Sequence, residues 1–201
     1  MVGVFQTVMI DEHSLPAHLA RDLDGHFEQL VRTYQDRLYG FALRLTGSRQ
    51  DAEESTQDAF VRAYRALAGY DTDRRRALRL RPWLYQITLN VVRNRVRRPV
   101  LVSVPVDGPV SNGLAAHSDE QPERVLVQME TQSHLADAIA RLPKRNATAV
   151  VLRHVQGLSY AEAAEVLDQP VGTTKSDVHR GLRMLRLALE SEASQLEVRN
   201  H

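Results

Sequence analysis

The chain has 201 residues, with 26 basic and 25 acidic side chains for a net charge of +1, and no cysteine. That length allows one large domain or two small ones, the missing cysteine excludes disulfides and thiolate metal sites, and a near-zero net charge by itself specifies no partner. Aromatic residues make up only 5% of the chain, and Leu, Arg and Ala are abundant, which favours helix over strand.

The opening stretch "MVGVFQTVMI" is apolar but has no basic flank and is too short to span a bilayer. No later apolar run is long enough either, so a cytoplasmic protein without membrane insertion is expected. Residues 1–25 carry four acids and one arginine. They match no motif, and an uncertain N-terminal arm, disordered or forming a short regulatory helix, is expected there.

Residues 26–98 read as a helical block. "HFEQLVRTYQDRLYGFALRLTG" forms one helix that Gly47 ends. Ser48 caps the next, "RQDAEESTQDAFVRAYRAL", with Asp51 three residues on. On that helix Phe60, Tyr64 and Leu67 form the core face, and Asp51, Glu54 and Asp58 line the far side. An acidic stripe repels DNA and suits a basic protein surface, although plain solvation also accounts for a lone stripe.

The stretch "GYDTDRRRALRLR" reads as a loop, and Pro82 fits the first turn of a third helix, "PWLYQITLNVVRNRVRR". From Arg74 to Arg98 there are nine arginines and no acid. Charge segregated this sharply points to an anionic partner; a solvated basic face is the alternative. On the third helix Trp83, Ile87 and Val91 form one apolar stripe, and Tyr85, Leu89, Val92 and Val96 another. Between them run Gln86, Asn90, Arg93 and Arg97, residue types that read adenine or hold phosphate and guanine.

Residues 99–122 contain four prolines and two glycines and read as a flexible linker, with a short strand conceivable at "VLVSV". A second helical block follows over 123–192, with a tail at 193–201. One helix covers "ERVLVQMETQSHLADAIARL". Pro143 opens another that ends near Gly157. Ser159 and Glu162 form a capping box for a third, and Gly172 sits in the turn before the last. On that last helix Thr174, Val178, Leu182, Leu185 and Leu189 form the core face. Ser176, Arg180 and Arg183 lie opposite, and Lys175 points sideways. This is helix-turn-helix spacing, with the outer face free to enter a major groove. An αα-hairpin with a solvated basic face is the other reading.

"DAEESTQDAFVRAYRAL", "PWLYQITLNVVRNRVRR", "LPKRNATAVVLRHVQGLSYAEAAEVL" and "PVGTTKSDVHRGLRMLR", in this order, resemble the extracytoplasmic-function sigma factors of bacterial RNA polymerase, in the sigma-70 family. The resemblance implies an all-α protein of two small helical domains joined by a flexible linker. Residues 26–98 would be region two, a three- or four-helix bundle. Residues 123–192 would be region four, a helix-turn-helix domain.

The implied activity is promoter-specific transcription initiation, with core RNA polymerase (its β and β′ subunits) and promoter DNA as partners and an anti-sigma factor as a further candidate. Carried over by residue, Asp51, Glu54, Gln57 and Asp58 would dock on the polymerase. Arg74, Arg75 and Arg76 of the loop, with Gln86, Asn90, Arg93 and Arg97, would recognise and open the minus-ten element, where a flipped base can be captured and a single strand held by arginines. Thr173, Lys175, Ser176, Arg180 and Arg183 would read the minus-thirty-five element. Three positions depart from the family pattern: Asp177 lies beside the DNA-facing row where a basic residue is common, Asp168 stands where a glycine is common, and Thr174 replaces an aliphatic residue.

No catalytic residue, metal or cofactor is expected. The eight histidines are scattered, and no H-E-x-x-H, P-loop or nucleophile elbow occurs. A stand-alone helix-turn-helix regulator would account for 158–186 but not for the first block, and a helical protein-interaction adaptor would show no dependence on DNA sequence.

Overall fold

The computed structural model describes residues 12–97, 135 and 137–199, and among them the regular structure is entirely helical. The proline-rich linker at 99–122, its conceivable strand and most of the helix expected from Glu123 lie outside the described residues.

The first block begins earlier than the periodicity suggests. Helix α1 spans Leu15–Arg21, and α2 spans Leu23–Thr46. Asp22 separates them and caps α2, its side chain accepting from the Gly25 N–H at 2.9 Å. Leu15, Leu19 and Leu23 recur every four residues and are buried, so these leucines extend the packed core back to residue 15. Glu12 ties the preceding turn down, accepting from the Tyr34 hydroxyl and from Arg37, each at 2.8 Å. Burial pushes the Glu12 carboxyl up, but the hydrogen bonds from Arg37 and Tyr34 outweigh it and hold it below its ordinary value.

Gly47 ends α2 in the left-handed region, at φ 69°. Helix α3 spans Arg49–Ala68, with the Ser48 hydroxyl accepting from the Asp51 N–H. The arginine-rich stretch expected as loop contains a short helix, α4, Thr72–Ala77, because Asp71 caps it by accepting from the Arg74 N–H at 2.7 Å. Helix α5 covers Leu80–Arg97 and keeps Pro82 in its first turn, where the missing N–H costs nothing. Helices α2, α3 and α5 pack on one another around Tyr34, Leu38, Phe41, Leu84, Tyr85 and Leu89, with α1 against α2 and α4. Phe41 and Tyr85 meet edge to face at 5.2 Å.

In the second block, helical residues 137–140 lead to α6, Lys144–Val150, which continues into a wide π-helical turn at Val151–Val155. Helix α7, Tyr160–Leu167, opens on the expected Ser159–Glu162 capping box. Its end is made by Asp168, in the left-handed region at φ 52°, so the departure from glycine there is tolerated as a helix stop. Helix α8 spans Val171–Arg199, which puts Gly172 in its first turn instead of in the preceding loop. Thr174, Val178 and Leu185 are buried as expected, but Leu189 is exposed.

Gly181 is the contact point between α6 and α8. A Cβ there would lie 2.5 Å from Val150 Cγ2 and 3.2 Å from the Asn146 carbonyl oxygen. Gly181→Ala is therefore expected to destabilise the chain by about 1–3 kcal/mol through overpacking, read as a lower thermal midpoint by circular dichroism. A midpoint equal to the parent's would mean that the two helices do not pack this closely.

Candidate nucleic-acid and polymerase interface

On α3, Gln57 and Asp58 are exposed, with Glu53 and Val61 exposed beside them. The other two acids of the expected stripe are placed differently. Asp51 and Glu54 are half-buried, and both pair with Arg95 of α5. Glu54 also accepts from Gln50 at 3.0 Å. Arg95 lies outside the polar row on α5, roughly half a turn round the helix from it, so the spacing of that row does not mark it. Tyr64, expected in the core, is at its edge: its hydroxyl donates to Asp24 at 2.6 Å, and its ring meets Phe27 edge-on.

The three arginines of α4 play different parts. Arg74 stacks over the Tyr70 ring at 3.8 Å. Arg75 donates from Nε to the Leu67 carbonyl at 2.8 Å and tethers α4 to α3. Arg76 is exposed and lies 3.7 Å from Asp73. Along α5, Asn90 and Arg93 are exposed, and Arg97 continues their row in register. Gln86, at the other end, is half-buried and donates to the Glu165 carbonyl of α7. Two further arginines that no spacing singled out, Arg79 and Arg81, also reach the second block.

On α8, Lys175, Ser176, Arg180 and Arg183 are exposed, and Thr173 is half-buried. His179, exposed on the same face, is an addition to that set. Lys175 lies 5.7 Å from the centre of the Tyr160 ring, and the Ser176 hydroxyl donates to the Gly172 carbonyl.

Asp177 requires a correction. It does not stand beside the DNA-facing row but is buried, at 3% exposure. Its carboxylate accepts from Arg145 at 2.7 Å and from Gln169 at 3.0 Å. The angular step from Ser176 to Asp177 turns the side chain inward toward α6. Gln169 also donates to the buried Thr174 hydroxyl at 3.0 Å, so the two departures at 174 and 177 belong to one polar network.

Among the described residues, no helix is long and apolar enough to cross a membrane, and no group of three or more potential metal ligands occurs.

Residues 30–99 match the family model for sigma-70 region 2, and residues 134–185 match that for sigma-70 region 4. The ECF RNA polymerase sigma factor SigW of Bacillus subtilis is 32% identical over 171 residues, covering 81% of this chain and 88% of the relative. The RNA polymerase sigma-H factor of Pseudomonas aeruginosa is 35% identical over 170 residues, covering 82% and 86%. Among solved structures, CnrH in complex with the cytosolic domain of CnrY shares the fold, with a TM-score of 0.64 at 24% identity over 90% of this chain and 97% of that one. A region-two bundle and a region-four helix-turn-helix in this order, with relatives aligned across both, place the chain in the extracytoplasmic-function group of the sigma-70 family, whose members direct transcription initiation at promoters.

Proposed function

We propose a division of labour among three surfaces of this sigma factor. Gln57 and Asp58 form the centre of the face that docks on the β′ subunit of core polymerase, with Asp51 and Glu54 at its edge, while the second block reaches toward β. Arg74, Arg75 and Arg76, with Gln86, Asn90, Arg93 and Arg97, engage the minus-ten element. Thr173, Lys175, Ser176, Arg180 and Arg183 read the minus-thirty-five duplex. The protein acts in the cytoplasm and is held in check there by an anti-sigma factor. Support for that last step comes from the solved structures of CnrH with CnrY and of RpoE with the anti-sigma factor NepR.

The observation that carries this reading is the division of α8 into two faces. Thr174, Val178 and Leu185 are buried while Lys175, Ser176, Arg180 and Arg183 are exposed, the arrangement a helix needs to pack on its own domain and still enter a groove.

The test is polymerase-dependent promoter binding across a range of salt. Arg180→Ala is expected to lose about 1–3 kcal/mol of discrimination at one base step. Lys175→Ala is expected to weaken all sequences alike and to lower the salt slope by about one unit. If both variants bind as the parent does, α8 is not the reader.

A further inference from the structure

A cavity of about 620 Å³ opens between the end of α2, the second half of α5 and residues 139–148, with Leu167 and Gln169 completing its wall. Its volume lies in the range of about 300–1,000 Å³ over which proteins enclose small molecules. Four cations line it: Arg44, Arg93, Lys144 and Arg145. Among the described residues of the wall there is no acid and no aromatic ring.

Arg145 is already engaged, with Asp177 and Gln169. The other three cations are not. Arg93 and Lys144 are exposed, Arg44 is half-buried, and no described carboxylate lies within ion-pair reach of any of them. Arg44 donates to the Gly40 carbonyl of its own helix at 2.9 Å. Burial is the influence that acts on its guanidinium, and it holds the pKa below the ordinary value. A half-buried cation without a counter-ion costs the fold free energy, and an anion in the cavity would offset that cost.

The wall also limits what the anion can be. Three unpaired cations suit a group with more than one negative charge, which a phosphate monoester carries at neutral pH and a carboxylate does not. No ring is present to stack a nucleobase. Leu89, Ile139, Leu142 and Leu167 offer an aliphatic surface instead, which suits a saturated chain.

We propose that this cavity is a binding site for an aliphatic phosphate, its headgroup held by Arg44, Arg93 and Lys144 and its chain laid along the four aliphatic residues. The site shares Arg93 with the α5 row but does not depend on that row's proposed role in DNA binding. It stands or falls without the promoter reading.

The test is titration calorimetry on the full chain with decyl phosphate below its micelle concentration. Saturable binding at one site is expected. Inorganic phosphate and decanol, each carrying half of the ligand's chemistry, are expected to bind at least about a hundredfold more weakly. Arg44→Met removes the charge and keeps an unbranched apolar stem, and it should weaken decyl phosphate about tenfold. Ala140→Trp, at an exposed position of the rim, places an indole in the cavity and should abolish binding without lowering the thermal midpoint. Arg62→Met, an equal loss of charge at an exposed position of α3 away from the wall, should bind as the parent does.

No binding of decyl phosphate, or binding that survives both Arg44→Met and Ala140→Trp, overturns the site. A loss of affinity in Arg62→Met as large as that in Arg44→Met reduces the effect to net charge and overturns it as well. Decanoate binding as tightly as decyl phosphate overturns the phosphate headgroup, and adenosine triphosphate binding more tightly overturns the aliphatic chain.

Discussion

Asp177→Lys is expected to destabilise the second block by about 3–5 kcal/mol, the cost of turning a paired buried charge into an unpaired one. The parent carboxylate is nearly sealed from solvent and sits on Arg145 and Gln169. A lysine would bring its ammonium to the Arg145 guanidinium and leave the Gln169 amide with Thr174 as its one remaining acceptor in this network. Arg145 is itself largely exposed and can swing into water, so the cost arises mainly at the new lysine. For a block of this size the thermal midpoint should fall by on the order of 15 °C. Asp177→Asn keeps an acceptor for Gln169 and gives up only the charge, so it should fall by much less. A Lys variant that melts with the parent would return Asp177 to the surface, and with it the reading that an acid there acts on DNA directly.

The same residue shows where the sequence stops being readable. Helical periodicity separates Thr174, Val178 and Leu185 from Ser176, Arg180 and Arg183, because those sets lie on opposite sides of α8 and differ in polarity. Asp177 lies at the margin of the core face, where polarity and angle disagree. Only the position of Arg145 and Gln169, 32 and eight residues away, decides in favour of burial. Thr174 becomes intelligible for the same reason, since its hydroxyl meets Gln169 inside the turn.

Local chemistry was legible throughout. The Ser48 cap, the Gly47 stop and the Ser159–Glu162 box are set by residues within four positions of each other, and each forms as expected. The caps at Asp22 and Asp71 carry a weaker form of that signal, an acid with no capping-box partner three residues on, so the start of α2 and the short α4 are poorly marked in the sequence. The contacts of Arg79, Arg81 and Gln86 with the second block could not be anticipated. They span 75 to 86 positions of chain, and those of Arg81 and Gln86 go to backbone carbonyls, which carry no sequence signature. Arg95 is an intermediate case. Its register on α5 points away from the proposed DNA row, but its two acidic partners lie on another helix, so neither helix alone marks the pairing.

That pairing changes which substitution tests polymerase docking. Reversing Asp51 or Glu54 would first set a cation against Arg95 and disturb the α3–α5 contact, so a loss of binding could be a loss of fold. Asp58 is exposed, and no described side chain pairs with it. Asp58→Lys should therefore move stability by no more than about 0.5 kcal/mol. If the Gln57–Asp58 face meets a basic surface of core polymerase, the same change sets like charges together at a cost of several kcal/mol. Capture of core polymerase by the immobilised variant should drop by roughly two to three orders of magnitude in affinity, with helix content and melting unchanged. A folded Asp58→Lys protein that captures polymerase as well as the parent would move the docking site off this face. The paired acids Asp51 and Glu54 would then be left as structural partners of Arg95, holding the α5 row at a fixed angle to α3.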